Sequence, residues 1–271
     1  MKIRNIIVSI CVMLAWGSIL HAQETLKIVT FNIRSFEPDF VTQPYADLLS
    51  TVSPDVVCLN EVENRSSRQQ LNGEYRDMVQ ELASKMRMFG LFGYSYNLNN
   101  KQGQYPEDNY RYSFNELYGN AILSRYPILN VNSMQLPRPA GSADQRSVVT
   151  ADILLPNGKI VRIACSHLDH VGGQLEQASE LTTDKVVSNT YPTILCGDMN
   201  MGPGSAPINK LLTVYERLDG DAGTYYGTSK IDYIFGAKGK FELVDTKVLD
   251  RFWNGTELSD HCPLFSEVKI K

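Results

Sequence analysis

Polar side chains that could bind a metal ion or carry a proton recur where apolar segments of this 271-residue chain end. A buried carboxylate is costly without a partner, and neighbouring carboxylates repel each other, so a cluster of them points to a bound cation. The segments and their polar residues are TFNI with Asn32, VVCLNEV with Glu61, IACSHLDH with His167, TILCGDMN with Asp198 and Asn200, KIDYIF with Asp232, and LSDHCPLF with Asp260 and His261.

The residue types in this set indicate which cation and which reaction to expect. Carboxylate and amide oxygens favour a hard cation such as Mg²⁺ or Mn²⁺ over zinc. Histidines titrate near neutral pH and can transfer a proton or stabilise a charged transition state. Together these groups suit phosphoester hydrolysis by a metal and an oriented water that attacks in line. Taken singly, each Asp or Asn is more often a helix cap or a turn former, so the recurrence is what favours an active site.

The apolar segments themselves are rich in β-branched residues, which predicts strands, several of them buried on both faces. Helical segments between them and a hairpin turn at 156–158 indicate α/β layers with the helices outside the sheets. The polar segment 97–115 is expected to be a long exposed loop. The predicted strands are 26–33, 55–62, 118–124, 147–155, 159–168, 193–198, 230–235, 241–249 and 262–270. The predicted helices are part of 39–52 and the whole of 74–86, 174–187 and 206–218.

Residues 1–22 have the pattern of a secretory signal peptide, with a basic start, an apolar middle and a predicted cleavage after Ala22. A transmembrane anchor is the alternative, but the apolar run Ile6–Leu20 is shorter than the roughly 20 residues needed to span a bilayer. We therefore expect one catalytic domain over residues 23–271, exported to the periplasm or the extracellular space, with no transmembrane anchor after cleavage.

Charge and cysteine usage narrow the function classes further. Removal of Lys2 and Arg4 with the signal peptide leaves 24 basic and 30 acidic residues, without a Lys/Arg-rich block. This balance counts against non-specific binding of duplex nucleic acid, although it does not exclude a nucleic-acid substrate. No stable protein partner is implied. Four cysteines beside apolar strand-like runs are expected to be buried free thiols, although an exported chain could pair them: Cys58, Cys165, Cys196 and Cys262.

The ordered motifs FN, NE, YGNAILSRYPI, SHLDH, GDMN, IDYIF and SDHCP resemble the endonuclease/exonuclease/phosphatase superfamily over residues 25–271. The resemblance implies a four-layer α/β/β/α sandwich of two mixed β-sheets packed face to face, with helices on the outside. It also implies a metal-dependent phosphoric ester hydrolase of the nuclease or phosphatase type.

The resemblance assigns a role to each matching residue of this sequence. Glu61 matches the principal metal ligand, and Asn32 and Asp260 match supporting positions at the metal. His261 matches the histidine that contacts the phosphate, and Asp232 matches the acid that orients it. The remaining matches are Asp198 and Asn200, which orient the attacking water and contact the scissile phosphate; His167, a second active-site histidine; and Arg146, a phosphate contact for which a surface arginine is an equal explanation.

Two further positions bear on the site. Glu116 is expected to orient His167. Arg34 stands where some repair relatives carry an acid, so the number of metal ions, one or two, stays open.

The substrate is a phosphoester whose class the sequence leaves open. A secreted nuclease acting on DNA or RNA is one alternative, and a sugar, inositol or lipid phosphodiesterase is another. A non-catalytic binding protein of the same fold is the third. It would be expected to lack catalytic residues, and none of the main ones is missing here.

Overall fold

The computed structural model of the chain describes residues 25–99 and 114–271. The predicted signal peptide and most of the predicted loop at 97–115 lie outside this part. The strands, in chain order, are β1 Thr25–Asn32, β2 Val56–Asn64, β3 Phe89–Asn97, β4 Leu117–Ser124, β5 Ile128–Gln135, β6 Ser147–Leu154, β7 Ile160–His167, β8 Thr193–Asp198, β9 Tyr215–Arg217, β10 Asp232–Ala237, β11 Phe241–Val248, β12 Phe252–Trp253, β13 Thr256–Glu257 and β14 Leu264–Ile270. The α-helices are α1 Gln43–Ser50, α2 Met78–Met86, α3 Gln174–Glu180 and α4 Ala206–Leu211.

These strands form two six-stranded mixed sheets and one small hairpin. The first sheet has the order β11-β14-β1-β2-β4-β3, and the second has the order β5-β6-β7-β8-β10-β9. Each sheet has one parallel pair at its centre, β1 with β2 and β7 with β8, flanked by antiparallel neighbours. Parallel neighbours bring their carboxyl ends to the same edge of a sheet, which is where the sequence places the polar residues.

Apolar side chains fill the space between the sheets and the space under the helices. Ile28 of β1 faces the core between the sheets, whereas Val29 and Phe31 face the helical side. Helices α1 and α2 cover the outer face of the first sheet, and α3 and α4 cover that of the second. This burial on both faces explains why the strands read as continuous apolar runs. The predicted four-layer sandwich of two mixed sheets with outer helices is confirmed.

The sequence prediction missed five strands and made two helices too long. The strands that were not predicted are β3, β5, β9 and the two-residue strands β12 and β13. The helix expected over 206–218 is the short helix α4 followed by strand β9, and the helix expected over 174–187 ends at Glu180. The predicted turn at 156–158 is present, with the backbone N–H of Gly158 bonded to the carbonyl oxygen of Leu155 (2.9 Å).

Two other expectations concern cysteines and membrane spans. The four expected free thiols are free and buried, as predicted. Among the described residues, no helix is long and apolar enough to cross a bilayer.

Asn60, on β2, is a buried amide that ties the two sheets together. Its Nδ2 donates to the carbonyl oxygen of Ser166 on β7 (2.9 Å) and to Oδ1 of Asn120 on β4 (2.8 Å). Its Oδ1 accepts the backbone N–H of Asp198 at the end of β8 (2.9 Å). The amide therefore sets the position of Asp198 relative to the first sheet.

We expect Asn60→Ala to lower the free energy of unfolding by about 3 kcal/mol, because the substitution leaves buried polar partners without a hydrogen bond. Urea denaturation measures the change. Asn132→Ala, on the exposed face of β5, is the matched control and should alter the free energy of unfolding by less than about 0.5 kcal/mol. Equal stabilities for the two variants would contradict the structural role of Asn60.

Candidate active site

Asn32 and Glu61 lie side by side where β1 and β2 approach the edge shared with the second sheet. Glu61 has a positive φ of 54°, within a break in the register of β2 between Leu59 and Val62. Such a bulge redirects a side chain out of the regular alternation of a strand. Asn32 Nδ2 donates to Glu61 Oε1 (3.0 Å) and to Asp198 Oδ2 (3.0 Å), so one amide joins carboxylates from both sheets.

Asp198 is held by backbone groups at the end of β8. The backbone N–H of Asp198 donates to Asn60 Oδ1, and Asp198 Oδ1 accepts the backbone N–H of Asn200 (2.8 Å). The preceding residue, Gly197, has a φ of 143°, and a Cβ there would lie 1.8 Å from the carbonyl oxygen of Ser166. Only glycine permits this close approach of β8 to β7. The glycine of the GDMN motif therefore has a packing role, and the motif is more than a turn.

His261 and Asp232 form a buried ion pair beside Asp198. His261 Nδ1 lies 2.8 Å from Asp232 Oδ2, and its Nε2 lies 3.6 Å from Asp198 Oδ2. Burial alone would lower the pKa of His261, but the charge and hydrogen bond of Asp232 and the charges of Asp198 and Asp260 raise it to about 10. Burial and the charge of Asp232 raise the pKa of Asp198. His261 is therefore an imidazolium at neutral pH.

His167 lies on the other side of Asp198 and has the opposite protonation. Its Nδ1 lies 2.9 Å from a terminal nitrogen of Arg146, and its Nε2 lies 2.9 Å from Asn200 Nδ2 and 3.5 Å from Asp198 Oδ2. A guanidinium only donates, so the contact with Arg146 needs an acceptor at Nδ1, which an imidazolium lacks; in the neutral ring the proton is then on Nε2, the nitrogen nearer to Asp198 Oδ2. Burial, the charge of Arg146 and the neighbouring histidines hold the pKa of His167 well below its usual value. His167 is therefore neutral.

Arg146 is itself buried, with 4% of its surface exposed. Its second terminal nitrogen lies 3.2 Å from His170 Nδ1, and carboxylate oxygens of Asp144 and Asp169 lie 3.8 Å from its guanidinium. The Asp169 carboxylate accepts backbone N–H groups from two segments. One is the loop before Arg146, at Ala143 and Asp144, and the other follows Asp169 itself, at Val171 and Gly172. The loops that carry Arg146 and the SHLDH motif are thus fixed to each other.

Asp260 follows a serine that connects the last loop to β1. Ser259 Oγ donates to the carbonyl oxygen of Asn32 (2.7 Å), accepts the backbone N–H of His261 (3.1 Å) and lies 3.3 Å from Asp260 Oδ1. The backbone carbonyl of Asp260 accepts the N–H of Tyr226 (2.8 Å), and the Tyr225 ring packs on His261 with centroids 5.0 Å apart. These contacts place the SDH motif beside Asn32.

Two groups of acids and histidines in the described part of the chain have ligand atoms within 4.8 Å of one another. One group is Asp198, Asp232 and His261, whose acids are already compensated by an imidazolium. The other is Glu61, His167 and Asp198, next to the Asn32 amide. The second group is rich in oxygen donors and contains no cationic side chain, so it fits a hard divalent cation. Asp260 belongs to neither group.

The structure corrects one expectation and adds residues that the sequence did not indicate. Glu116 does not orient His167, because its Oε1 accepts the backbone N–H of Ser67 (2.9 Å); Arg146 contacts His167 instead. Asn60 was missed as a site residue, although its position directly before Glu61 in a buried strand was a usable signal. The roles expected for the other candidate residues stay predictions, with the geometry described above.

Comparisons with known proteins agree with this fold. Residues 29–261 match the Endonuclease/Exonuclease/phosphatase family. The chain is 28% identical over 269 residues to the uncharacterized protein YbhP of Escherichia coli K12, covering 92% of this chain and 98% of YbhP. Its structure is similar to the human nocturnin catalytic domain with bound sulfate anion, with a TM-score of 0.68, 16% identity, and coverage of 91% of this chain and 94% of nocturnin.

A mannosyl-6-phosphatase of Bacteroides thetaiotaomicron is also similar in structure, with a TM-score of 0.66, 15% identity, and coverage of 90% of this chain and 99% of that enzyme. At such identities the two structures bear on the fold alone, whereas the family match extends over most of the chain. The chain therefore belongs to the endonuclease/exonuclease/phosphatase family, whose members are generally phosphoester hydrolases.

Proposed function

We propose that this protein is an exported, Mg²⁺-dependent phosphoesterase that hydrolyses phosphodiester or phosphomonoester bonds by in-line attack of water, with Mn²⁺ as a possible substitute. The observation that carries the proposal is the arrangement around Asp198, where oxygen donors lie on one side and two histidines of opposite protonation lie close by. This set provides a place for a cation, a proton acceptor and a cationic hydrogen-bond donor within one buried edge of the sandwich.

In this proposal Glu61 is the principal metal ligand, supported by Asn32 and Asp260. A hard divalent cation bound there would neutralise charge on the phosphate and on the leaving oxygen. Asn32 Nδ2 donates to Glu61 Oε1, and Asn32 Oδ1, the ligand atom of this amide, accepts the backbone N–H of Arg34 (3.2 Å), so both side chains are held in place before the cation binds.

Asp198 and Asn200 would orient the attacking water. The raised pKa of Asp198 suits a carboxylate that takes up a proton during the attack, since a base is most effective when its pKa is near the working pH. The backbone contact between Asn200 and Asp198 holds the two groups in register. Asn200 Nδ2 donates to the carbonyl oxygen of Leu168 (2.9 Å) and lies beside His167, which fixes this side chain at the place where it would contact the scissile phosphate.

His261 would donate its Nε2 proton to a phosphate oxygen. Asp232, on Nδ1, keeps the ring charged and oriented, so the donor is strongest where negative charge develops. His167 stays neutral and provides a polar contact without adding a second positive charge. The positive charge of Arg146, which contacts His167 Nδ1, disfavours protonation of His167. Arg146 also lies close enough to the site to serve as the expected substrate contact.

Two similar structures support a phosphoester substrate without selecting among its classes. A sulfate, which resembles phosphate, is bound in the similar nocturnin structure, and the similar mannosyl-6-phosphatase is named for a sugar phosphate. Both agree with a phosphoester substrate here. A secreted nuclease and a sugar, inositol or lipid phosphodiesterase remain the alternatives, and a non-catalytic protein of the same fold is disfavoured by the complete set of site residues. The signal-peptide pattern of residues 1–22 supports export.

The mature chain should hydrolyse bis-p-nitrophenyl phosphate or p-nitrophenyl phosphate with Mg²⁺ or Mn²⁺, and EDTA should abolish the turnover. Glu61→Gln should lower kcat/KM by at least about 100-fold, because the amide is a weaker ligand and carries no charge. Steady-state assays with DNA and phospholipid headgroups in the same panel report the substrate class.

Glu242→Gln, an exposed acid on β11, is the matched control and should behave as the wild type. Turnover that persists in EDTA, or wild-type rates for Glu61→Gln, would contradict the proposal. Absence of metal-dependent turnover on every substrate would favour the binding-protein alternative.

Asp232→Asn should lower the pKa of His261 from about 10 by about 1 to 3 pH units, because the substitution removes the opposite charge on Nδ1. The wild-type ring should stay protonated throughout the neutral range, whereas the variant ring should titrate at a lower pH. NMR of the imidazole signals in the metal-free protein measures both values. His261 titrating near 6.5 in the wild type would show that the Asp232 contact does not charge the ring.

A further inference from the structure

A cleft of about 390 Å³ opens directly beside the candidate site. Glu61, Arg146 and His170 line it, so the cleft is continuous with the groups that would hold the phosphate. Its volume is at the small end of the range of roughly 300–1,000 Å³ that is typical of small-molecule pockets. The space therefore fits a compact group attached to the phosphate.

Arg68 is a cleft residue held rigidly by two acids and one ring. Its Nε donates to Glu63 Oε2 (2.7 Å), one terminal nitrogen donates to Glu63 Oε1, and the other donates to Glu37 Oε1. The guanidinium also lies over the ring of Phe40, 5.4 Å from its centroid. Glu63 is buried, whereas 44% of the Arg68 side chain is exposed.

This arrangement leaves part of the guanidinium available at the cleft. A guanidinium has five N–H donors, and the acids occupy three of them within the described part of the chain. The remaining donors have a fixed direction, because the bidentate contact with Glu63 and the Phe40 ring restrict rotation of the side chain. A preorganised donor of this kind costs little entropy when a ligand binds.

The charges that line the cleft favour a neutral group over a second anion. Its arginines are Arg34, Arg68 and Arg146, and its acids are Glu37, Glu61, Glu63 and Asp144, so acids exceed arginines by one. A bound divalent cation and one phosphate would not leave a surplus of positive charge for a polyanion. Hydroxyl groups, in contrast, both donate to carboxylates and accept from arginine.

His170 adds a donor to the same cleft. Its Nδ1 faces a guanidinium nitrogen of Arg146 at 3.2 Å, and a guanidinium can only donate. In the neutral ring Nδ1 is therefore the acceptor, and the N–H is on Nε2. The stacked rings of Tyr96 and Tyr118, with centroids 4.6 Å apart, complete the lining with aromatic surface.

We propose that this cleft binds a hydroxyl-rich group, a sugar or a cyclic polyol, that is esterified to the phosphate, and that Arg68 is the residue that selects it. The inference rests on the proposed phosphoesterase function and names its substrate class. It excludes duplex nucleic acid as the preferred substrate.

Matched esters test the substrate class. We expect kcat/KM for hexose 6-phosphate to exceed that for n-hexyl phosphate by at least about tenfold. Among the corresponding p-nitrophenyl diesters, the hexose diester should likewise be hydrolysed faster than the hexyl diester. A second set of assays uses glycerophosphoinositol and inositol phospholipid in mixed micelles. Faster turnover of the hexose phosphate would identify a free sugar ester as the substrate, and faster turnover of the inositol lipids would identify a lipid headgroup. Equal rates within the matched pairs, or faster hydrolysis of duplex DNA, would overturn the inference.

Substitutions at Arg68 test the selecting residue. Arg68→Lys keeps a positive charge beside Glu63 but cannot form the bidentate contact, and Arg68→Met removes the charge. Both should lower the ratio of kcat/KM for the hydroxyl-rich ester to that for the alkyl ester by about tenfold, mainly through KM. Arg125→Met, an arginine of similar exposure (47%) paired with Asp55 away from this cleft, should leave the ratio unchanged.

Calorimetry separates failure of this inference from failure of the proposed function. Hexose 6-phosphate should bind the wild type at least about tenfold more tightly than it binds Arg68→Lys, whether or not the ester is turned over. Binding with that difference but no metal-dependent turnover of any ester would refute the phosphoesterase and keep the subsite. Equal binding to wild type and Arg68→Lys would refute the subsite, whatever the turnover.

Discussion

The rest of the site depends on the burial of two carboxylates opposite each other. Asp198 and Asp232 are direct partners in the antiparallel pairing of β8 with β10, and each has 1% of its surface exposed. Two buried acids this close cannot both stay charged without compensation. Asp232 is compensated by the His261 imidazolium, and Asp198 by amides from Asn32 and the backbone. The raised pKa values of Asp198 and His261 follow from this constraint.

The two histidines on either side of Asp198 differ in charge because they contact different partners. His261 meets an acid through Nδ1, whereas His167 meets the Arg146 guanidinium through the equivalent atom. A single positive ring then faces the place where charge would develop, and the neutral ring adds polarity without competing with a cation at Glu61. The two-sheet architecture makes this possible, because β7 and β8 deliver His167 and Asp198 in register while the last loop delivers His261.

Much of the fold could be predicted from sequence, because strands buried on both faces produce long apolar runs. β3 was missed since its sequence, FGLFGYSYN, mixes glycine and tyrosine with apolar residues, and the edge strand β5 was missed since most of its residues are exposed. The helix expected over 206–218 was too long because the apolar run Leu211–Tyr215 continues past the end of α4, and residues 215–217 pair instead with β10. Strand pairing in the folded protein therefore determines the structure of residues 215–217, against the helical preference of the local sequence.

The candidate site could be proposed from the order of its motifs, but its contacts could not. Sequence places His167 at a strand end without showing that Arg146, directly before the neighbouring strand β6, is the group that reaches its ring. Nor does it show that Glu116 turns toward Ser67, or that Arg68 and Glu63 form a rigid pair in the adjoining cleft. These are long-range side-chain contacts, and they depend on the relative position of two sheets and of the loops between them.

The proposed site of the hard divalent cation is Glu61, beside Asn32, and not the Asp198–Asp232–His261 group. Anomalous diffraction from crystals of residues 23–271 soaked in Mn²⁺ tests this proposal most directly. We expect one main peak in coordination contact with a Glu61 carboxylate oxygen, at roughly 2.0–2.3 Å. A peak confined to Asp232 and His261, or no peak near Glu61, would contradict it.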